Sequence, residues 1–209
     1  QRGGAHRRRR ARRAADRALH GGVAVRPAAR LVPECVVADA EKGGPRLQQL
    51  RPKLRIVMIG ADDISYGMKL PKGETFRSRL KTELGDSVDW SRVHFVGQIP
   101  YDQLMGILKL SRCHIYLTAP FVLSWSMMEA MALEKTIVAT NVAPVREVMQ
   151  EGKTGFLIDY FKPAELAERV ADVLAHKDNY RAVGIAARTV TRSAWVISPR
   201  LARSCTSAR

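Results

Sequence analysis

Residues 54–178 alternate short apolar runs with stretches in which apolar side chains recur every three or four positions. The runs "LRIVMIG" (54–60), "VHFVG" (93–97), "HIYLTAP" (114–120), "KTIVAT" (135–140) and "TGFLID" (154–159) have the length and β-branched content of buried strands. Helical patterns lie between and after them. "ETFRSRLKTELG" (74–85) is closed by Gly85, and "PYDQLMGILKLS" (100–111) has Pro100 near its start and Leu104, Ile107 and Leu108 on one face. "SWSMMEAMALE" (124–134), "APVREVMQEG" (143–152) and "KPAELAERVADVLAHKD" (162–178) complete the series. Five strands alternating with five helices predict βαβ units and one parallel sheet covered on both faces, a doubly wound α/β domain. Ligands on such sheets bind at the carboxyl ends of the strands.

Outside this core the pattern stops. "HRRRRARRAADRA" is an Arg/Ala block, "HGGVAVRPAARLVPECVVADAEKGGP" is broken by Gly and Pro, and "TRSAWVISPRLARSCTSAR" has no period. The formal net charge of +15 over 209 residues first suggests a nucleic-acid partner. Its distribution changes that picture: residues 1–51 carry +9, residues 188–209 carry +5, and 52–187 carry only +1. The expected organisation is a basic, poorly ordered segment 1–51, a folded domain 52–187 and a basic tail 188–209. "RRRRARR" (7–13) is either a solvated tail or a polyanion contact. Without interleaved aromatics or a recognition fold the tail reading is favoured, so no specific nucleic-acid partner is expected.

Cys35, Cys113 and Cys205 are too few and too scattered for a disulfide framework or a zinc site, which makes a reducing, cytoplasmic setting the default. The five histidines show no ligand spacing, so no metal is expected. The window 114–133 is apolar enough to suggest a membrane span, but Pro120, Glu129 and its hydroxyl residues argue against one.

Glu129 is the carboxylate flanked on both sides by apolar residues in the densest apolar stretch, "PFVLSWSMMEAMALEKTIVAT" (120–140), whose other acid, Glu134, is followed by Lys135. A charge there needs a partner. Two readings fit. In one, "SMME" (126–129) is a capping box, with Glu129 reaching back to the Ser126 N–H. In the other, the backbone amides of Leu123 to Ser126 at the helix start receive a phosphate, and Glu129, one turn on, receives the two vicinal hydroxyls of a ribose. A nucleotide diphosphate satisfies both halves of the second reading.

The longer string "HIYLTAPFVLSWSMMEAMALEKTIVATNVAPVREVMQEGKTGFLID" resembles the C-terminal, donor-binding domain of the GT-B glycosyltransferases of the large group 1 (GT4-type) retaining family. "VHFVGQIPYDQLMGILKLS" and "LRIVMIG" resemble the segments that precede it, so the resemblance covers roughly 53–187. It implies a Rossmann-like, GT-B C-terminal half that binds a nucleotide diphosphate sugar and transfers its glycosyl unit to an acceptor with retention, without metal or other cofactor. No D-x-D triplet is present. Glu129 matches the second glutamate of the family's E-x7-E motif, which holds the ribose. The first position of that motif is Phe121 here, a departure on the side of the sugar. The turn that follows it corresponds to Val122, Leu123 and Ser124, whose amides need no particular side chain to reach a diphosphate. The expected donor site is thus Glu129 with Val122, Leu123, Ser124, Trp125 and Ser126. Trp125 is read either as a stacking face or as a core residue.

Two elements of the family are missing from the pattern. The acceptor-binding domain is absent, and residues 1–51 show no "GR…KG" match to the Arg and Lys that clamp the diphosphate. The expectation is therefore a glycosyltransferase donor domain in an incomplete chain. The alternatives are a truncated, non-catalytic nucleotide-binding remnant and a basic nucleic-acid-binding protein. The loop "GADDISYGMKLPKGE" (60–74) is either a connector or a wall of the site. His114 is read as a packed strand residue and Cys113 as a buried, inert thiol.

Overall fold

The computed structural model describes residues 35–38, 43–62, 71, 73–118 and 123–194, with only the backbone of 35–38 and 193–194. Its strands are β1 Cys35–Ala38, β2 Arg55–Ile59, β3 Val93–Gly97, β4 Cys113–Tyr116, β5 Thr136–Thr140 and β6 Phe156–Ile158. Its helices are α1 Gly44–Leu50, α2 Phe76–Leu84, α3 Tyr101–Leu110, α4 Trp125–Ala132, α5 Ala143–Arg146, α6 Pro163–Ala175 and α7 Arg181–Ala194. The strands form one sheet in the order β3-β2-β1-β4-β5-β6, with every neighbouring pair parallel. This is the doubly wound, Rossmann-like order, and its direction of winding reverses between β1 and β4.

All five expected strands are present. The boundary expected at residue 52 is not where the domain starts: Cys35–Ala38 sits in the middle of the sheet, paired with β2 on one side and β4 on the other. Its four residues need no periodic pattern, because neighbours on both sides supply the hydrogen bonds. The following α1 is capped by Gly43, whose φ of +89° is left-handed and where a Cβ would stand 2.9 Å from the Pro163 carbonyl, so a side chain there would press on the start of α6. The boundary at 188 also moves, since α7 runs through to Ala194 and buries Val183, Ala187 and Thr191 at helical spacing. The low order expected of the outer parts of both ends, 1–34 and 195–209, lies outside the described residues.

Alternate residues of each strand feed two apolar layers. Ile56, Cys113, Ile115, Val138, Phe156 and Ile158 pack with Leu47 of α1 and with Leu166, Val170 and Leu174 of α6. Val57, Tyr116, Ile137 and Ala139 pack with Met105 and Leu108 of α3, Met127 and Met131 of α4, and Ala187 of α7. Among the described residues, no helix is long and apolar enough to cross a membrane.

Helix α4 is short, and its two ends are built differently. At the carboxyl end the Lys135 amide bonds back to the Ala130 carbonyl and the Glu134 amide to the Met131 carbonyl, both at 3.0 Å. This is a Schellman closure, with Glu134 at the left-handed position (φ 59°) that glycine usually takes. At the amino end Ser124 is the N-cap, and its hydroxyl accepts the Ser126 amide at 3.2 Å.

Candidate functional site

The site expected from the sequence lies where β4 leaves the sheet. Tyr116, the last residue of β4, is buried, and its phenol oxygen accepts the Ser124 amide at 3.0 Å. Thr140, at the end of β5, accepts the Thr118 amide at 3.0 Å. A strand-end phenol and a neighbouring strand's hydroxyl thus pin the backbone on both sides of the connection. Residues 119–122, which include Phe121 and the expected site residue Val122, lie outside the described residues.

Of the amides expected to face a ligand, those of Ser124 and Ser126 already have protein partners, Tyr116 and the Ser124 hydroxyl respectively. Leu123 is half-buried beside the second apolar layer. Trp125, the first helical residue, is 67 % exposed, which removes the core reading and leaves its indole on the surface, where a ligand ring can stack.

Glu129 lies in the second turn of α4 and is only 7 % exposed. The capping-box reading fails on geometry. The N-cap is Ser124 and the third helical residue is Met127, so Glu129 stands two positions too far along, and the Ser126 amide is already taken. Burial pushes the carboxyl above its ordinary pKa, and the phenol of Tyr101, the first residue of α3, works against that rise.

A cavity of about 270 Å³ opens at the carboxyl ends of β2 and β3. Ile59, Gly60, Ala61 and Asp62 line one side, Phe95 and Gly97 another, and Phe76, Arg77 and Leu80 of α2 close it. The start of the 60–74 loop is therefore a wall of a cavity, and Asp62 holds the Arg77 amide at 2.9 Å. Glu129 is not among the lining residues.

His114 is 3 % exposed and points, like Tyr116, into the layer covered by α3 and α4. Neither ring nitrogen has a partner, and burial lowers its pKa to about 4. Cys113, on the opposite face of β4, is fully buried, with its thiol pushed up to about 12. Both are core residues. Arg146, on α5, donates to Asn141 Oδ1 at 2.9 Å beside the end of β5. Sequence reasoning reached Glu129 but missed Tyr116. It is one of five tyrosines, and only the folded chain brings it to the site.

The profile of the family described as glycosyl transferases group 1 matches residues 29–190, from before β1 into α7. Among solved structures, the chain is similar to Anabaena Alr3699/HepE in complex with UDP and glucose, with a TM-score of 0.65 at 17 % identity over 83 % of this chain and 48 % of that one. Sucrose-phosphate synthase from Thermosynechococcus elongatus gives 0.63 at 21 % identity, over 94 % of this chain and 49 % of that one. The C-terminal domain of a group 1 family glycosyl transferase (LpcC) from Francisella tularensis gives 0.64 at 12 % identity, over 79 % of this chain and 87 % of that domain. At these identities the likeness is one of fold. The chain spans about half the length of the first two proteins and most of the isolated C-terminal domain. No curated protein matches it.

Proposed function

Because the chain belongs to the group 1 glycosyl transferases, we propose that it is the donor-binding part of such an enzyme. It holds a nucleotide diphosphate sugar, UDP-linked by analogy with the HepE complexes, while the glycosyl unit passes with retention to an acceptor. The acceptor site belongs to the part of the fold that this chain does not span. The observation that carries the reading is Glu129: a nearly buried carboxylate, not used as a helix cap, on the helix that leaves β4 at the winding reversal of the sheet.

The roles follow from position. Glu129 receives the ribose hydroxyls and fixes the nucleotide. It does not act as acid or base. The turn that enters α4 at Leu123 and Ser124 meets the diphosphate, where the positive end of the helix dipole stabilises the charge that grows as the glycosyl bond breaks. Trp125 offers its exposed ring as a stacking face. A second reading, a domain that binds nucleotide without transfer, is favoured by Phe121 standing where the family has an acid facing the sugar.

Calorimetric titration of the chain and of Glu129→Gln with UDP, GDP and UDP-glucose tests the proposal. The loss of hydrogen bonds to a charged group, about 1.5–3 kcal/mol, corresponds to roughly 10- to 100-fold weaker UDP binding, with little change in melting temperature. No binding of any of the three by the unmutated chain, or equal affinity of the two proteins, overturns it. Turnover of UDP-glucose separates transfer from binding alone.

A further inference from the structure

We propose that Tyr116 is a positioning residue of the donor site: its buried phenol fixes the turn at which α4 receives the diphosphate of a nucleotide sugar. The proposal rests on the donor-site reading given above and gives the diphosphate half of that site its support from the core.

Tyr116 ends β4, one of the two strands at the winding reversal, in register with Ala139 of β5, and is 3 % exposed. The residue is held at two points. Its carbonyl accepts the Thr140 hydroxyl at 3.5 Å, and its phenol oxygen accepts the Ser124 amide at 3.0 Å, eight residues on. Ser124 passes the constraint forward. Its hydroxyl accepts the Ser126 amide at 3.2 Å and shares a hydrogen bond of 2.8 Å with the Ser126 hydroxyl. An unbroken series of hydrogen bonds thus runs from β5 through the Tyr116 ring to the first turn of α4.

Packing alone does not call for the hydroxyl. A phenylalanine would fill the same space in the apolar layer beside Met127 and Ala139. The phenol oxygen is needed because the entering turn presents an amide to the core, and a half-buried amide without an acceptor is costly. Helix α4 has only eight residues, too few to hold its own start in place. The field of a helix end falls off within one turn, so it acts on a phosphate only while that turn keeps its position. Tyr116 supplies this fixity from beneath, without touching the ligand.

The test uses the full chain, Tyr116→Phe, Glu129→Gln and Gly184→Ala. Each is titrated by ligand-detected NMR with UDP and with uridine and melted thermally, and affinities refer to the folded fraction read from the melts. Gly184→Ala is the stability control, because its Cβ would strike the Glu134 carbonyl at the far end of α4. Tyr116→Phe should weaken UDP binding about three- to tenfold and leave uridine within about twofold, since uridine lacks the phosphates. Glu129→Gln should weaken both by a similar factor, since both carry the ribose. Gly184→Ala should lower the melting temperature and leave both affinities unchanged. If Tyr116→Phe binds UDP like the unmutated chain while Glu129→Gln does not, the proposal fails and the donor-site reading stands. An equal loss of UDP and uridine in Tyr116→Phe refutes positioning of the diphosphate. So does a matching loss of UDP in Gly184→Ala, which marks a general effect of stability. If the unmutated chain does not bind UDP, or Glu129→Gln binds it equally well, the donor-site reading itself fails and takes this proposal with it.

Discussion

The carboxyl end of α4 is closed by backbone, side-chain and helix contacts, whereas the bonds at its amino end are, among the described residues, made by side-chain hydroxyls. Below, the Schellman bonds finish the helix, Lys135 Nζ reaches the Lys109 carbonyl at 2.6 Å and so ties α4 to α3, and Arg188 of α7 meets Glu134 at 2.6 Å. Gly184 brings α7 so close that a Cβ would overlap the Glu134 carbonyl. Above, the Tyr116 phenol accepts the Ser124 amide, the Ser124 hydroxyl meets the amide and hydroxyl of Ser126, and Trp125 is exposed. The contrast teaches where this domain concentrates its packing. Apolar contact and backbone closure hold the carboxyl end, and the amino end, where the donor site is proposed, keeps local bonds.

Acid should erase the contrast by loosening both ends together. His114 lies on the face of β4 that α4 covers, and its folded pKa of about 4 is below the ordinary 6.5. Above pH 6.5 the ring is neutral in both states and its contribution is intact. From pH 6.5 down to about 4 the unfolded chain takes up a proton that the folded one refuses, and stability falls by about 3 kcal/mol in all. Thermal melts at pH 7.5 and 4.5 should show a smaller acid loss in His114→Leu by about that amount. Equal losses in the two proteins would mean that the ring finds a partner.

A break confined to the closed end comes next. Gly184→Ala forces the backbones of α4 and α7 apart and should cost roughly 2–3 kcal/mol, a melting temperature lower by roughly 5–10 °C, with UDP affinity of the folded protein unchanged. Tyr116→Phe is the matching break at the open end. It leaves the Ser124 amide without its acceptor and should cost about 1–2 kcal/mol, with faster hydrogen exchange at Ser124 and unchanged exchange at Leu133 and Lys135. The smallest effect is expected at Glu134→Gly. It relieves the left-handed strain by up to about 1 kcal/mol and gives up a surface ion pair of similar or smaller worth. Denaturant titration should show a net change under about 1 kcal/mol, and a clear gain when Arg188 has already been replaced by Ala.

The five strands from β2 to β6 were legible because each is a short, largely apolar run bounded by turn chemistry. β1 was not, since "CVVA" sits in text rich in Gly, Pro and charge, and its pairing comes from both flanking strands. In α7 the period carried by Val183, Ala187 and Thr191 is diluted by exposed Arg, Thr and Ile185. At the site, Glu129 was legible as a charge where none belongs. Its capping alternative turned on a helix start two residues from the real one, which spacing alone does not determine. Tyr116 contributes a single hydroxyl across 8 positions of chain, and nothing local marks it.

The four residues of β1 have a consequence for handling the protein. They are the seam between two blocks, β2–β3 and β4–β5–β6, that have no strand pairing with each other. A chain trimmed at residue 52, where the charge pattern changes, would keep both blocks and lose the seam. The inner edges of β2 and β4 would then carry open rows of amides and carbonyls flanked by Ile56, Val57 and Ile115. Such edges seek strands from other molecules, so shortening this protein to its most regular part should yield aggregates rather than a minimal domain.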